Sequence, residues 1–185
     1  MSTRMLTVLY EDSLASKPTS YGPHSLLLAC VADKLGWERW DKRLTTTVLP
    51  SPKNGDSRLR AALANDAQRL ADAGGVAVLF DLDRVRDCYR LPSTSCIVTV
   101  LDAIAEGARV PIKVVLLDRN METLVAACAT ALRVPCPPKV PRERDRILNH
   151  AADADLSVRV QVLAGCKTFE RLVDIVHAWV REQAP

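Results

Sequence analysis

Short apolar runs alternate with longer amphipathic ones along this chain. Met5–Tyr10 (MLTVLY) is compact and apolar and stops at Glu11, which predicts a first strand. Pro23–Leu35 carries a proline suited to a first helical turn and is followed by Gly36, so it reads as a helix. The β-branched run Leu44–Leu49 (LTTTVL) ends at a Pro-Ser-Pro loop and predicts a second strand. Ser57–Ala73 repeats Leu59, Leu63 and Leu70 at helical spacing and is ended by Gly74-Gly75. Val76–Phe80 (VAVLF) predicts a third strand running into Asp81, followed by a helix over Ser95–Glu106. Ile112–Leu117 predicts a fourth strand and Met121–Leu132 the helix after it. Beyond the proline-rich VPCPPKVP, a polar helix is expected over Arg142–Asp153 and an amphipathic one over Thr168–Arg181.

Strands alternating with helices of this length imply parallel strands joined by right-handed crossovers. VAVLF and IKVVLL are apolar throughout, as suits strands covered on both faces. The expected fold is therefore α/β: a Rossmann-like three-layer arrangement with a mostly parallel sheet of about four strands and a helical C-terminus. Residues 5–132 form the expected core of a single domain, and 142–185 a helical extension. At 185 residues there is little room for a second domain.

Composition narrows the setting. The hydrophobic fraction is 48% and the charged fraction 25%, enough to build a core and too apolar for disorder. No apolar run approaches the ~20 residues of a membrane span, so no membrane partner is expected. The start, MSTRMLTVLYEDS, reads as carrying no signal peptide. The six cysteines are scattered without a CxxC pair, and several fall in apolar segments such as LLLACVA. Reduced, buried thiols and a cytoplasmic location are the expectation, and the spacing supplies no zinc ligand set. Trp37, Trp40 and Trp179 read as packing anchors; His24, His150 and His177 read as surface or capping residues.

Three acids fall at the carboxyl ends of expected strands: Glu11 after the first, and Asp81 and Asp83 after the third. In open α/β sheets the ligand crevice lies outside the carboxyl ends, where strand order reverses. In the order 2-1-3-4 the first and third strands are neighbours astride that point, so Glu11 would face Asp81 and Asp83. Converging carboxylates repel one another and call for a cation or a shifted protonation. A few hard oxygen ligands suit Mg²⁺, which keeps waters and binds substrate phosphate. Glu122, in DRNMETLV after the fourth strand, is placed to reach the same rim. The plainer reading makes these acids helix caps and, for Glu122, a first-turn residue favoured by the helix dipole.

VLYED, the helix ending KLG, VAVLFDLD and PIKVVLLDRNMETLV together resemble the Toprim fold of topoisomerases, primases and overcoming-lysogenization-defect nucleases. The likeness is nearest to small standalone Toprim-like proteins of bacteria and covers roughly Met5 to Leu132. That family carries a glutamate after its first strand and a DxD after its third, which match Glu11, Asp81 and Asp83. Several members also carry a fourth-strand acid, matched by Glu122. The resemblance implies a general acid/base role for Glu11 and Mg²⁺ or Mn²⁺ held by the acids, hence a metal-dependent nuclease. Two departures are visible. Glu11 is followed by Asp12 where the family commonly has glycine, and a long polar loop, SLASKPTSYGPHS, follows.

A polyanionic substrate also needs cations. Lys53, Arg58 and Arg60 lie in PKNGDSRLR, Arg84 follows the DLD, and Lys139, Arg142, Arg144 and Arg146 lie in KVPRERDR. Lys53, Arg84, Lys139, Arg142, Arg144 and Arg146 are the expected nucleic-acid contacts, although Glu143 and Asp145 also suit PRERDR to a solvated helix face. Tyr89 is the single aromatic placed for stacking near the acids. Two alternatives stand beside the nuclease. One is a catalytically degenerate partner or sensor subunit, in a larger complex or homodimer. The other is a haloacid-dehalogenase-like phosphatase, whose DxD belongs on the first strand rather than at Asp81.

Overall fold

The computed structural model describes residues 4–11, 21–108, 112–117 and 121–183. Four strands form one sheet: β1 (Met5–Tyr10), β2 (Val48–Pro52), β3 (Gly74–Asp81) and β4 (Lys113–Leu117). All pairings are parallel and the order is β2-β1-β3-β4. The chain therefore reverses its direction of winding between β1 and β3, as the alternating pattern requires.

Side chains along the strands divide between two cores. Leu6, Val8, Tyr10, Ala77, Leu79 and Val115 face one cluster; Leu9, Val76, Val78, Phe80 and Leu116 face the other. The first core is closed by α1 (Gly22–Leu35), α7 (Met121–Leu132), α8 (Pro141–Asp153), α9 (Leu156–Gly165) and α10 (Lys167–Gln183). The second is closed by α3 (Asp56–Asn65), α5 (Leu82–Cys88) and α6 (Ile97–Ala108). Period-two alternation on a sheet covered by helices gives three layers. The Rossmann-like α/β fold and the helical C-terminus are thus those expected. Among the described residues no helix is long and apolar enough to cross a membrane.

The second strand is displaced from its expected place. Residues 42–47 form a short helix, α2 (Lys42–Thr47), and β2 starts at Val48. Asp41 caps α2 by accepting from the Arg43 amide at 2.8 Å. The Thr46 and Thr47 hydroxyls donate to the carbonyls of Lys42 and Arg43 at 2.7 and 2.5 Å. Threonine satisfies its hydroxyl inside a helix this way, which offsets its β preference. Pro50 and Pro52 lie within the strand itself. They are tolerated because β2 is an edge, where a missing N–H costs no ladder bond.

Other boundaries differ as well. The helix expected over Ser57–Ala73 is broken at Asp66 into α3 and α4 (Ala67–Ala73), where Asn65 and Asp66 compete for backbone groups. Leu59 and Leu63 are fully buried, and the Leu70 side chain lies outside the described set. Gly74 ends α4 as its C-cap, as expected, and Gly74-Gly75 also opens β3. A Cβ at Gly74 would lie 2.2 Å from the Met5 carbonyl oxygen, so pairing with β1 demands glycine there. Helices α5 and α9 were not expected; the missed signal for α9 is Asp155, whose carboxylate accepts from the Val158 amide at 3.1 Å. Of the polar loop expected from Ser13, residues 12–20 lie outside the described residues, and α1 has begun by Gly22.

Two residue expectations are corrected. His24 is buried at 5% exposure, with Nδ1 2.9 Å from the Tyr10 hydroxyl and Nε2 3.2 Å from the Val48 carbonyl. Burial lowers its pKa to about 4, so the ring is neutral: Nε2–H donates to Val48 and Nδ1 accepts from Tyr10. Trp37 and Trp179 pack on the core, whereas Trp40 is 52% exposed beneath the Arg39 guanidinium. All six cysteines are free; Cys30, Cys128 and Cys166 are buried, and burial pushes the Cys30 thiol up to about 12.

Candidate functional site

The carboxyl ends of β1 and β3 place Glu11 beside Asp81. The Glu11 carbonyl accepts from the Gly55 amide at 2.6 Å, and its own amide donates to Leu79 at 3.4 Å. Its backbone is therefore tied to the segment after β2 on one side and to β3 on the other. Its carboxylate Oε2 accepts from the Asp81 amide at 3.1 Å. A carboxylate held by a backbone donor loses much of its rotational freedom.

Asp81 ends β3 and Asp83 lies in the first turn of α5, where the helix dipole favours an acid. Arg84 is the next residue. Glu122 is in the first turn of α7, and its Oε1 stands 3.9 Å from Lys139 Nζ. With side-chain exposures of 44% and 79%, that ion pair adds little to stability. Arg144 projects from the first turns of α8. A Cβ on Gly22 would stand 2.8 Å from the Asp145 carbonyl oxygen and 2.9 Å from Leu148 Cβ. The start of α1 therefore packs directly on α8 at the Asp145 backbone and the Leu148 side chain.

These groups line one polar cleft of about 380 Å³. Glu11, Asp81, Asp83, Glu122, Arg84, Lys139 and Arg144 all belong to it. Lys53, Arg142 and Arg146 do not. Lys53 continues the β2 pairing through its amide, which donates to Tyr10 at 2.8 Å. Arg142 is exposed at the start of α8, and Arg146 pairs with Glu143 at 3.3 Å on the outer face of that helix. Tyr89 does not line the cleft; it packs edge-on against Phe80 under the Arg60 guanidinium.

Asn54 and Gly55 line the cleft and were missed by sequence reasoning. Their signal was the Asn-Gly dipeptide, a turn marker; φ is 59° at Asn54 and 118° at Gly55. A larger apolar recess of about 540 Å³ lies beside α1 and β2. Among its described lining residues the one titratable group is His24, whose two ring nitrogens are both engaged, so the polar cleft is the better candidate for chemistry.

Among the described lining residues, four carboxylates face three cations. No three His, Cys, Asp or Glu side chains among the described residues are grouped closely enough to hold a metal ion by themselves. An all-protein cage is therefore not what this site offers. Magnesium commonly takes one or two carboxylates, keeps several waters and completes its shell with substrate phosphate. The excess of carboxylate oxygens at the strand ends fits that kind of ion. Comparison with protein-family models, with curated proteins and with solved structures yields no match to this chain.

Proposed function

We propose that the cleft carries out metal-dependent phosphoryl transfer on a phosphodiester, with nuclease activity as its simplest form. The observation that carries this reading is the Glu11 carboxylate fixed on the Asp81 amide at 3.1 Å, at the reversal of strand order. It is also the chemistry implied by the resemblance to the Toprim fold.

In this reading Asp81 and Asp83 hold Mg²⁺ or Mn²⁺. An ion held there would supply charge stabilisation for phosphoryl transfer. Glu11, oriented by the Asp81 amide, takes the proton from the attacking water. Arg84 and Arg144 neutralise the oxygens of the attacked phosphate and set its place in the cleft. Nucleic acid is the proposed substrate class.

A non-enzymatic reading has one observation of its own: Glu122, the fourth expected acid, has a lysine partner within the cleft. A degenerate partner or sensor subunit would keep such an internal pair and bind its ligand without turnover. Incubation of nucleic acid with the protein and Mg²⁺ or Mn²⁺, beside a generic phosphate monoester, separates the readings. Metal-dependent cleavage that Asp81→Asn abolishes supports the nuclease. Equal cleavage by wild type and Asp81→Asn from identical preparations refutes it.

A further inference from the structure

We infer that the cleft recognises a phosphate monoester of nucleotide size, whether a free mononucleotide or the phosphorylated end of a strand. The inference rests on the phosphoryl-transfer reading and narrows its substrate.

Size is the first argument. At about 380 Å³ the cleft lies near the small end of the roughly 300–1,000 Å³ typical of small-molecule sites. That is room for about one nucleotide within the cleft.

Charge is the second. Arg84, Lys139 and Arg144 are gathered in the cleft. Elsewhere several exposed cations have a carboxylate at close range: Arg146 with Glu143, Arg43 with Asp41, Lys167 with Glu170. The net charge of the chain is only +3. Proteins that follow a strand neutralise many successive phosphates and stack bases on aromatic side chains. No aromatic residue is among the described lining residues here.

The third argument is the Glu122–Lys139 pair, 3.9 Å apart. An incoming phosphate has to compete with the Glu122 carboxylate for this lysine. A terminal monoester carries a charge of about −1.5 to −2 at neutral pH. An internal diester carries one negative charge, no more than the carboxylate it would displace. Lys139 therefore favours a chain end over a chain interior.

Equilibrium titrations with Ca²⁺ in place of Mg²⁺ read binding apart from turnover. The probes are adenosine monophosphate, adenosine, a short single-stranded DNA with a terminal phosphate, and a closed circle of the same sequence. The monophosphate and the phosphorylated strand should bind at least about tenfold tighter than adenosine and the circle. Lys139→Gln should erase most of that preference. Companion incubations with Mg²⁺ keep the two proposals apart. A circle bound and cut as well as the linear strand overturns the end preference and leaves the phosphodiester reading standing. Binding of the monophosphate and the phosphorylated strand with no cleavage of either DNA supports the inference and overturns that reading. No binding to any probe overturns both.

Discussion

The Glu11 carboxylate accepts a hydrogen bond from the backbone amide of Asp81, so the last residue of one strand orients the acid that follows its neighbour. Glu11 and Asp81 are 70 positions apart in sequence, yet parallel pairing of β1 with β3 makes them adjacent. The bond gives Glu11 a structural role separable from any chemical one.

That separation is testable with two substitutions. Glu11→Gln keeps an oxygen for the Asp81 amide and removes the charge. Its stability should stay within about 0.5 kcal/mol of wild type, while metal-dependent turnover falls roughly 10²–10⁴-fold. Glu11→Ala also removes the acceptor, at a further cost of about 1–2 kcal/mol, or roughly 2–8 °C in Tm for a chain of this size. Melting curves and single-turnover rates on both variants check it. Unchanged turnover in Glu11→Gln would remove Glu11 from the chemistry.

The metal assignment has a readout that needs no substrate. A divalent ion that binds only the native state at ten times its Kd stabilises by about 1.4 kcal/mol, which corresponds to roughly 3–6 °C. Asp83→Asn relieves repulsion among the strand-end acids and should be at least as stable as wild type without metal. It should respond little when Mg²⁺ or Mn²⁺ is added. Scans at matched ionic strength decide it: identical shifts in wild type and variant would exclude Asp83 as a ligand.

The strand ends were legible in the sequence because VAVLF and MLTVLY are short, apolar and stopped by acids. That pattern sets Glu11 and Asp81 at the carboxyl ends of neighbouring strands. The Leu44–Leu49 run misled because β-branching is a weak preference, overridden by Asp41 capping and by threonine hydroxyls bonded to the preceding turn. His24 was illegible for a different reason. Its partners, Tyr10 and Val48, lie 14 and 24 residues away, and only sheet assembly brings them to one ring. Likewise nothing in PRERDR distinguishes Arg144 from Arg142 and Arg146; only the packing of α8 in the folded chain puts Arg144 alone of the three in the cleft.

The buried His24 predicts a pH dependence of stability. Its folded pKa of about 4 lies below the ordinary 6.5, so at intermediate pH the unfolded chain binds the proton and the folded chain does not. Stability is fully present above the unfolded value and falls with pH by up to about 1.4 kcal/mol per unit until the folded value is reached. The full loss is roughly 3 kcal/mol. The groups at the ring are the Tyr10 hydroxyl, the Val48 carbonyl and the edge of the Tyr10 ring, none of which titrates in that window. Urea unfolding at several pH values should show this component in wild type and lack it in His24→Asn. Parallel curves for the two proteins would contradict it.

The three arginines of PRERDR supply the last prediction, because one helix presents them to different surroundings. Arg144 lines the cleft, Arg146 pairs with Glu143 outside it, and Arg142 is exposed at the helix start. If phosphate is held in the cleft, Arg144→Gln should weaken binding of a phosphorylated strand by about tenfold or more, given the ~1.5–3 kcal/mol of a charged hydrogen bond. It should also reduce the dependence of log K on log salt by about one contact. Arg146→Gln should change either quantity much less, since its guanidinium already has a carboxylate partner. Arg142→Gln separates a local site from an extended one. A basic track along α8 would make Arg142 and Arg144 contribute alike, each lowering the salt slope by a similar amount. A cleft confines the effect to Arg144. Titrations of the three single variants at two or more salt concentrations measure both quantities, and equal losses for Arg142→Gln and Arg144→Gln would show that the strand runs along the helix instead of ending in the cleft.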